Sequence, residues 1–131
     1  MWTAAKRVLR YLKGTKSRKL FFHAGQRASK GQRTCAFVDS SHADDRDERR
    51  SRCGHLIYYN DSPIMWRTVL QKRKALSTAE AEYRAATIAT KDILWLRNIL
   101  HELGRTEQAP TVMFEDNKAC IKMVENPVIT Q

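Results

Sequence analysis

LSTAEAEYRAATIATKDILWLRNILHELG, residues 76–104, is the longest periodic stretch of the chain, and its reading decides the fold. Ser77 and Thr78 offer side-chain oxygens for an N-cap, and Glu80 follows Ser77 at capping-box spacing. Gly104 stands where a C-cap would end the helix. Glu82, Ala86, Ala89, Ile93, Leu96, Leu100 and Leu103 recur at alternating intervals of four and three, so they share one helical face. That face is apolar except at its head. Glu80 instead shares a solvated face with Arg84, Thr87, Lys91 and Asn98. The spacing therefore predicts a long amphipathic helix that carries one carboxylate, Glu82, at the rim of its buried stripe.

Upstream, Thr34–Ser41 (TCAFVDSS), Arg52–Tyr59 (RCGHLIYY) and Ile64–Leu70 read as strands. The second and third form a hairpin through Asn60-Asp61-Ser62-Pro63. A mixed-charge loop, His42–Ser51, joins the first two, and the basic run Gln71–Lys74 leads into the helix. Beyond Gly104, Thr111–Phe114 reads as a fourth strand ending in Glu115-Asp116-Asn117, and residues 118–125 as a short helix stopped by Asn126-Pro127. The order from residue 34 is β-β-β-α-β-α. It predicts an α/β fold whose mixed sheet has three antiparallel strands and a crossover placing the fourth parallel beside the first. In that arrangement Asp39, Glu82 and Asp116 converge.

Ahead of this region, residues 2–13 read as a helix with a Trp2, Ala5, Leu9 and Leu12 stripe, ended by Gly14. Lys19–His23 reads as a short strand, and residues 24–33 (AGQRASKGQR) as a linker. The expected division is residues 1–33 and residues 34–131, the second forming the folded domain.

The balance of 24 basic against 14 acidic residues, a net charge of +10, favours a polyanionic partner, nucleic acid first. Cys35, Cys53 and Cys120 are too few and too scattered for a disulfide framework, and Cys53-x-His55 has no second pair at zinc spacing. No run is long and apolar enough for a membrane span. No phosphate-binding glycine loop occurs, and no motif ties His23, His42, His55 or His101 to a nucleophile. Three converging acids repel one another unless a cation joins them, and hard oxygen ligands suit Mg²⁺ or Mn²⁺. Two such ions about 4 Å apart can activate a water and stabilise the leaving oxygen of a phosphodiester. The pattern reads as a metal-dependent nuclease or polynucleotidyl transferase, although capping alone accounts for any one of these acids taken singly. Arg46, Arg49, Arg50, Arg52, Lys72, Arg73 and Lys74 are candidate phosphate contacts, and a solvated basic face explains each of them equally well.

Ordered strings across the chain carry a resemblance: AAKRVLRYLKGT (4–15), AFVDSSHADD (36–45), RRSRCGH (49–55), PIMWRTVLQ (63–71), LSTAEAEYRAA (76–86), LWLRNILHELG (94–104), FEDNKACI (114–121) and ENP (125–127). Together they resemble the ribonuclease H domain of copia-type retrotransposon polyproteins, preceded by the tail of the reverse transcriptase. The resemblance implies a ribonuclease H-like fold with Asp39, Glu82 and Asp116 as metal-binding catalytic acids. Glu82 rather than Glu80 matches, because it precedes Tyr83 of the motif. It further implies two Mg²⁺ (or Mn²⁺) ions, hydrolysis of the RNA strand of an RNA–DNA hybrid to a 3′ hydroxyl and a 5′ phosphate, and an intracellular setting (cytoplasm, virus-like particle or nucleus). The upstream reverse transcriptase is an implied partner within the parent polyprotein.

The family continues past Asn-Pro with a segment carrying a fourth acid, a fifth strand and a last helix, whereas this sequence stops at Gln131. The expectations are a fold lacking those two elements, a metal site one ligand short with no substitute, and weakened catalysis. An open, apolar fourth-strand edge is expected to favour self-association. The alternative function is a non-catalytic nucleic-acid-binding remnant of such a polyprotein. An integrase-like enzyme of the same fold is a third reading, which the copia-like strings oppose.

Overall fold

A computed structural model of the chain describes residues 2–23 and 33–126. Its elements are α1 (Trp2–Thr15), β1 (Thr34–Ser41), β2 (Arg52–Tyr59), β3 (Ser62–Leu70), α2 (Thr78–Glu102), β4 (Val112–Phe114) and α3 (Lys118–Glu125). The strands form one mixed sheet in the order β3-β2-β1-β4. β2 pairs antiparallel with both β1 and β3, and β4 pairs parallel with β1. The crossover through α2 thus lands where the sequence pattern put it.

Alternation along β1 sets the layers. Thr34, Ala36, Val38 and Ser40 are buried, while Phe37, Asp39 and Ser41 are exposed on the other face. α2 crosses the buried face. Ala36, Ile57, Ile93, Leu96 and Leu100 form one core cluster, and Val38, Cys53, Ala85 and Ala89 form another. The small residues Ala81, Ala85 and Ala89 are all fully buried, which lets the first half of α2 lie close over β1. Ile57 is fully buried at the centre of the first cluster. Ile57→Ala is expected to cost about 2–5 kcal/mol of unfolding free energy, readable by urea denaturation.

The buried stripe of α2 differs in detail from the seven residues expected. Glu82, Ala89, Ile93, Leu96 and Leu100 are buried, but Ala86 is half-buried and Leu103 exposed, whereas Ala81 and Ala85 are buried. A strict alternation of fours and threes has a period of 3.5 and drifts off the face of a 3.6-residue helix. The series 81, 85, 89, 93, 96, 100 corrects that drift.

Both ends of α2 are closed by hydrogen bonds. Ser77 Oγ accepts from Glu80 N at 3.1 Å, and a Glu80 carboxylate oxygen accepts from Leu76 N at 2.7 Å. At the other end Gly104 has φ 67°, its N–H donates to His101 O, and Arg105 N donates to Leu100 O at 2.7 Å. This is a Schellman closure, which a residue without Cβ adopts at no steric cost. The β2–β3 hairpin turns on Asn60 and Asp61, at φ 48° and 60°, as a two-residue I′ turn suited to sheet twist. β3 consequently starts at Ser62, earlier than the sequence suggested, and Pro63 is tolerated because β3 is an edge strand.

Two expectations fail. Lys19–His23 is not a strand: its backbone joins no ladder, and His23 N donates to Ser62 Oγ at 2.8 Å. Its apolar run lacks a strand to pair with. Gly14 does not end α1, which continues to Thr15, whose hydroxyl donates to Tyr11 O at 2.8 Å. α1 buries none of its residues, so its expected stripe of Trp2, Leu9 and Leu12 is exposed. The expected linker, Arg33 apart, lies outside the described residues, as does Pro127. No described helix is long and apolar enough to cross a membrane.

Among the described residues β4 pairs only with β1, leaving its other edge open. On the sheet face away from α2, Phe37 and Phe114 are stacked at 4.8 Å and about half exposed. Concentration-dependent self-association is expected in sedimentation velocity, reduced by Val112→Lys. A monomer at all concentrations would count against it.

Candidate metal centre

β1 and β4 run in parallel register, with Phe37 opposite Phe114. Asp39 and Asp116 each follow these partners by two residues, so they emerge side by side at the same end of the sheet. Glu82 reaches them from the first two turns of α2. One carboxylate oxygen from each of Asp39, Glu82 and Asp116 lies within 4.8 Å of the others. The sequence argument named these three, and the fold brings them together.

Asp39 and Asp116 are exposed, whereas Glu82 is only 3% exposed. Glu82 Oε2 is buried without a hydrogen-bond partner among the described residues. Burial pushes the Glu82 carboxyl up to about 7, and the charges of Glu115, Asp39 and Asp116 push the same way. The nearby Ser40 hydroxyl opposes them, though its geometry falls short of a full hydrogen bond. A buried carboxylate with an unpaired oxygen facing two more acids needs either a proton or a cation. The all-oxygen donor set fits a hard divalent ion such as Mg²⁺ or Mn²⁺.

Several supporting residues were not identified from sequence. Asn117 Oδ1 caps α3 by accepting from Ala119 N and Cys120 N at 3.0 and 3.1 Å, which fixes the turn that presents Asp116. Buried Gln71 donates from Nε2 to Ala81 O at 2.9 Å, tying the end of β3 to the helical turn that carries Glu82. His42 Nε2 lies 3.2 Å from Ala75 O, so it holds the approach to α2. Glu115 Oε1 accepts from Asn117 N at 3.0 Å. Asn117, a favoured N-cap residue directly ahead of the short helix, was the one available signal; the others depend on tertiary contact.

Over 125 residues, 95% of its length, the chain is 39% identical to the retrovirus-related Pol polyprotein from transposon TNT 1-94 of Nicotiana tabacum. Relatives matched over nearly its whole length are retrovirus-related Pol polyproteins from plant transposons. The corresponding polyprotein from transposon RE2 of Arabidopsis thaliana is 35% identical over 127 residues, 97% of this chain. The chain spans only 9% and 8% of these two relatives. It is also 38% identical over 95 residues to secreted RxLR effector protein 161 of Plasmopara viticola, covering 64% of that protein. No protein-family model matches the chain, and no solved structure does.

The basic residues of this Pol-related chain divide by environment. Arg50 pairs with Glu48 at 2.8 Å and Asp45 at 3.6 Å, and Arg52 with Asp44 at 3.0 Å, so both brace the β1–β2 loop. Arg46 and Arg49 are exposed without an ion pair among the described residues. Lys72 and Arg73 line a groove of about 770 Å³ between β3 and α2, together with Arg67, Arg84 and Lys91. Lys74 is exposed outside that lining. Arg84 is anchored on Glu80 and the carbonyls of Arg73 and Lys74, and Arg67 on Asp92. Lys72, Arg73 and Lys91 therefore carry the groove's uncommitted charge. Buried His55 Nε2 lies 3.0 Å from Asp92 Oδ2, facing it between β2 and α2.

Proposed function

We propose that the chain is a ribonuclease H-like domain of a retrotransposon polyprotein, hydrolysing the RNA strand of RNA–DNA hybrids. The observation that carries this reading is the convergence of Asp39, Glu82 and Asp116 within 4.8 Å, with the Glu82 carboxylate buried and its Oε2 without a partner among the described residues. Asp39 and Asp116 stand at the open end of the sheet, where a phosphodiester backbone has access. Glu82 holds the inner side of the same position, fixed by the close packing of α2 on β1. Bound Mg²⁺ or Mn²⁺ would supply the polarisation of phosphate and attacking water that such a hydrolysis requires. In this reading residues 1–33 connect the domain to a reverse transcriptase of the same polyprotein.

The basic groove favours a second reading, nucleic-acid binding without cleavage, since Lys72, Arg73 and Lys91 need no metal to meet phosphates. One assay separates the two. Labelled RNA in a hybrid is incubated with the chain and Mg²⁺, with and without chelator, beside matched single-stranded RNA. The enzyme reading expects chelator-sensitive cleavage of the hybrid alone. Salt-sensitive binding with no cleavage above background would sink it and leave the binding reading standing.

A further inference from the structure

β4 contains little that fixes its own register. It pairs with β1 over three residues, and of these Val112 and Phe114 are exposed while only Met113 packs on the core clusters. A slip of one residue would turn Met113 outward and carry Asp116 to the other face, away from Asp39. The segment just ahead of β4 is held from outside by Arg97, a half-buried residue of α2. Arg97 Nη1 donates to Ala109 O and to Thr111 Oγ1, each at 3.0 Å, and Nη2 donates to Glu107 O at 2.6 Å. The carboxylate of buried Glu107 lies 4.0 Å from the same guanidinium.

Three acceptors at alternate positions, 107, 109 and 111, are thus gathered on one planar fork, and the last of them adjoins Val112. We propose that Arg97 is a positioning residue of the metal centre: by tying this segment to α2 it sets the register of β4 on β1 and so holds Asp116 against Asp39 and Glu82. This rests on the reading of those three acids as a metal centre. α2 then places two of them, Glu82 directly and Asp116 through Arg97 and β4. A lysine at position 97 keeps the charge facing Glu107, but its donors leave from one point and cannot hold all three acceptors.

The test is calorimetric titration of Mn²⁺ into the full chain and its Arg97→Lys variant, with amide hydrogen exchange of β4 measured on the same proteins without metal. Ile57→Val serves as a control that loosens the core without touching the segment ahead of β4. Arg97→Lys is expected to bind Mn²⁺ about tenfold more weakly, the low end for a residue that orients a metal ligand, and to exchange its β4 amides faster. Ile57→Val should keep the parent's Mn²⁺ affinity. Thr111→Val removes one of the three acceptors at nearly constant shape, and should weaken Mn²⁺ binding in the same direction by less. It carries the test alone if Arg97→Lys fails to fold, and a parent-like affinity would then overturn the inference. Unchanged Mn²⁺ affinity in a folded Arg97→Lys would overturn it too, leaving Arg97 a brace of the loop and the three-acid centre intact. Equal weakening in Ile57→Val would also overturn it, since any loosening of the fold would then suffice. Failure of the parent to bind Mn²⁺ would remove the centre itself, and this inference with it.

Discussion

Raising the pH from about 5 to about 8 in the presence of chelator is expected to cost the protein about 2–3 kcal/mol of stability through Glu82 alone. In the folded chain this carboxyl is raised from 4.5 to about 7. The folded state therefore holds a proton that the unfolded state releases, so stability falls as pH rises between those two values and levels off above them. His55 acts in the opposite sense. Burial lowers it from 6.5, so its contribution is present above that value and is lost as pH falls below it. The two windows overlap, and the difference between the parent and Glu82→Gln isolates the first. Urea denaturation across the range should give a Glu82→Gln variant that is more stable than the parent at alkaline pH and little different at pH about 4.5. Parallel curves would show that Glu82 is not strained by burial. Saturating divalent ion should erase the alkaline loss, because a ligand that binds only the folded state adds about 2.7 kcal/mol at a hundred times its dissociation constant.

Asp39→Asn, Glu82→Gln and Asp116→Asn are each expected to lower Mg²⁺-dependent hybrid cleavage by more than about a hundredfold. Residues standing behind metal ligands are already worth about 10–100-fold, and on the proposed reading these three would supply the ligand oxygens themselves. Each replacement keeps the shape of the side chain and removes one charge from a crowded anionic site. Metal-free stability should therefore be equal to or higher than that of the parent, separating loss of chemistry from loss of fold. Hybrid binding in the absence of metal should persist, because Lys72 and Arg73 line a groove shared by none of the three acids. Replacing Lys72 and Arg73 by alanine should reverse the pattern, weakening hybrid binding and its salt dependence while sparing ion binding. An acid variant with undiminished cleavage would remove that residue from the site.

The legible parts of the fold were those where local pattern and tertiary packing agree. β1, β2 and α3 have the bounds their alternation, turns and capping residues indicate. The convergence of Asp39 and Asp116 followed from one topological step, the parallel placement of β4 beside β1. Glu82 followed from helical periodicity. Other features were hidden for physical reasons. β4 has only three residues, too few for alternation to mark its two faces. The pairing of Arg50 and Arg52 with loop acids depends on a backbone that turns through positive φ at Ala43 and Arg49, which no residue pattern marks. Lys19–His23 has strand-like composition, but composition cannot supply a pairing strand.

The central claim is that Asp39, Glu82 and Asp116 together hold a divalent ion. Calorimetric titration of Mg²⁺ into the parent and Glu82→Gln, buffered near pH about 7.5, tests it most directly. Saturable binding by the parent, accompanied by proton release from Glu82 and lost in the variant, is the expected result. Identical titrations of the two proteins, whether both bind or neither does, would contradict the account.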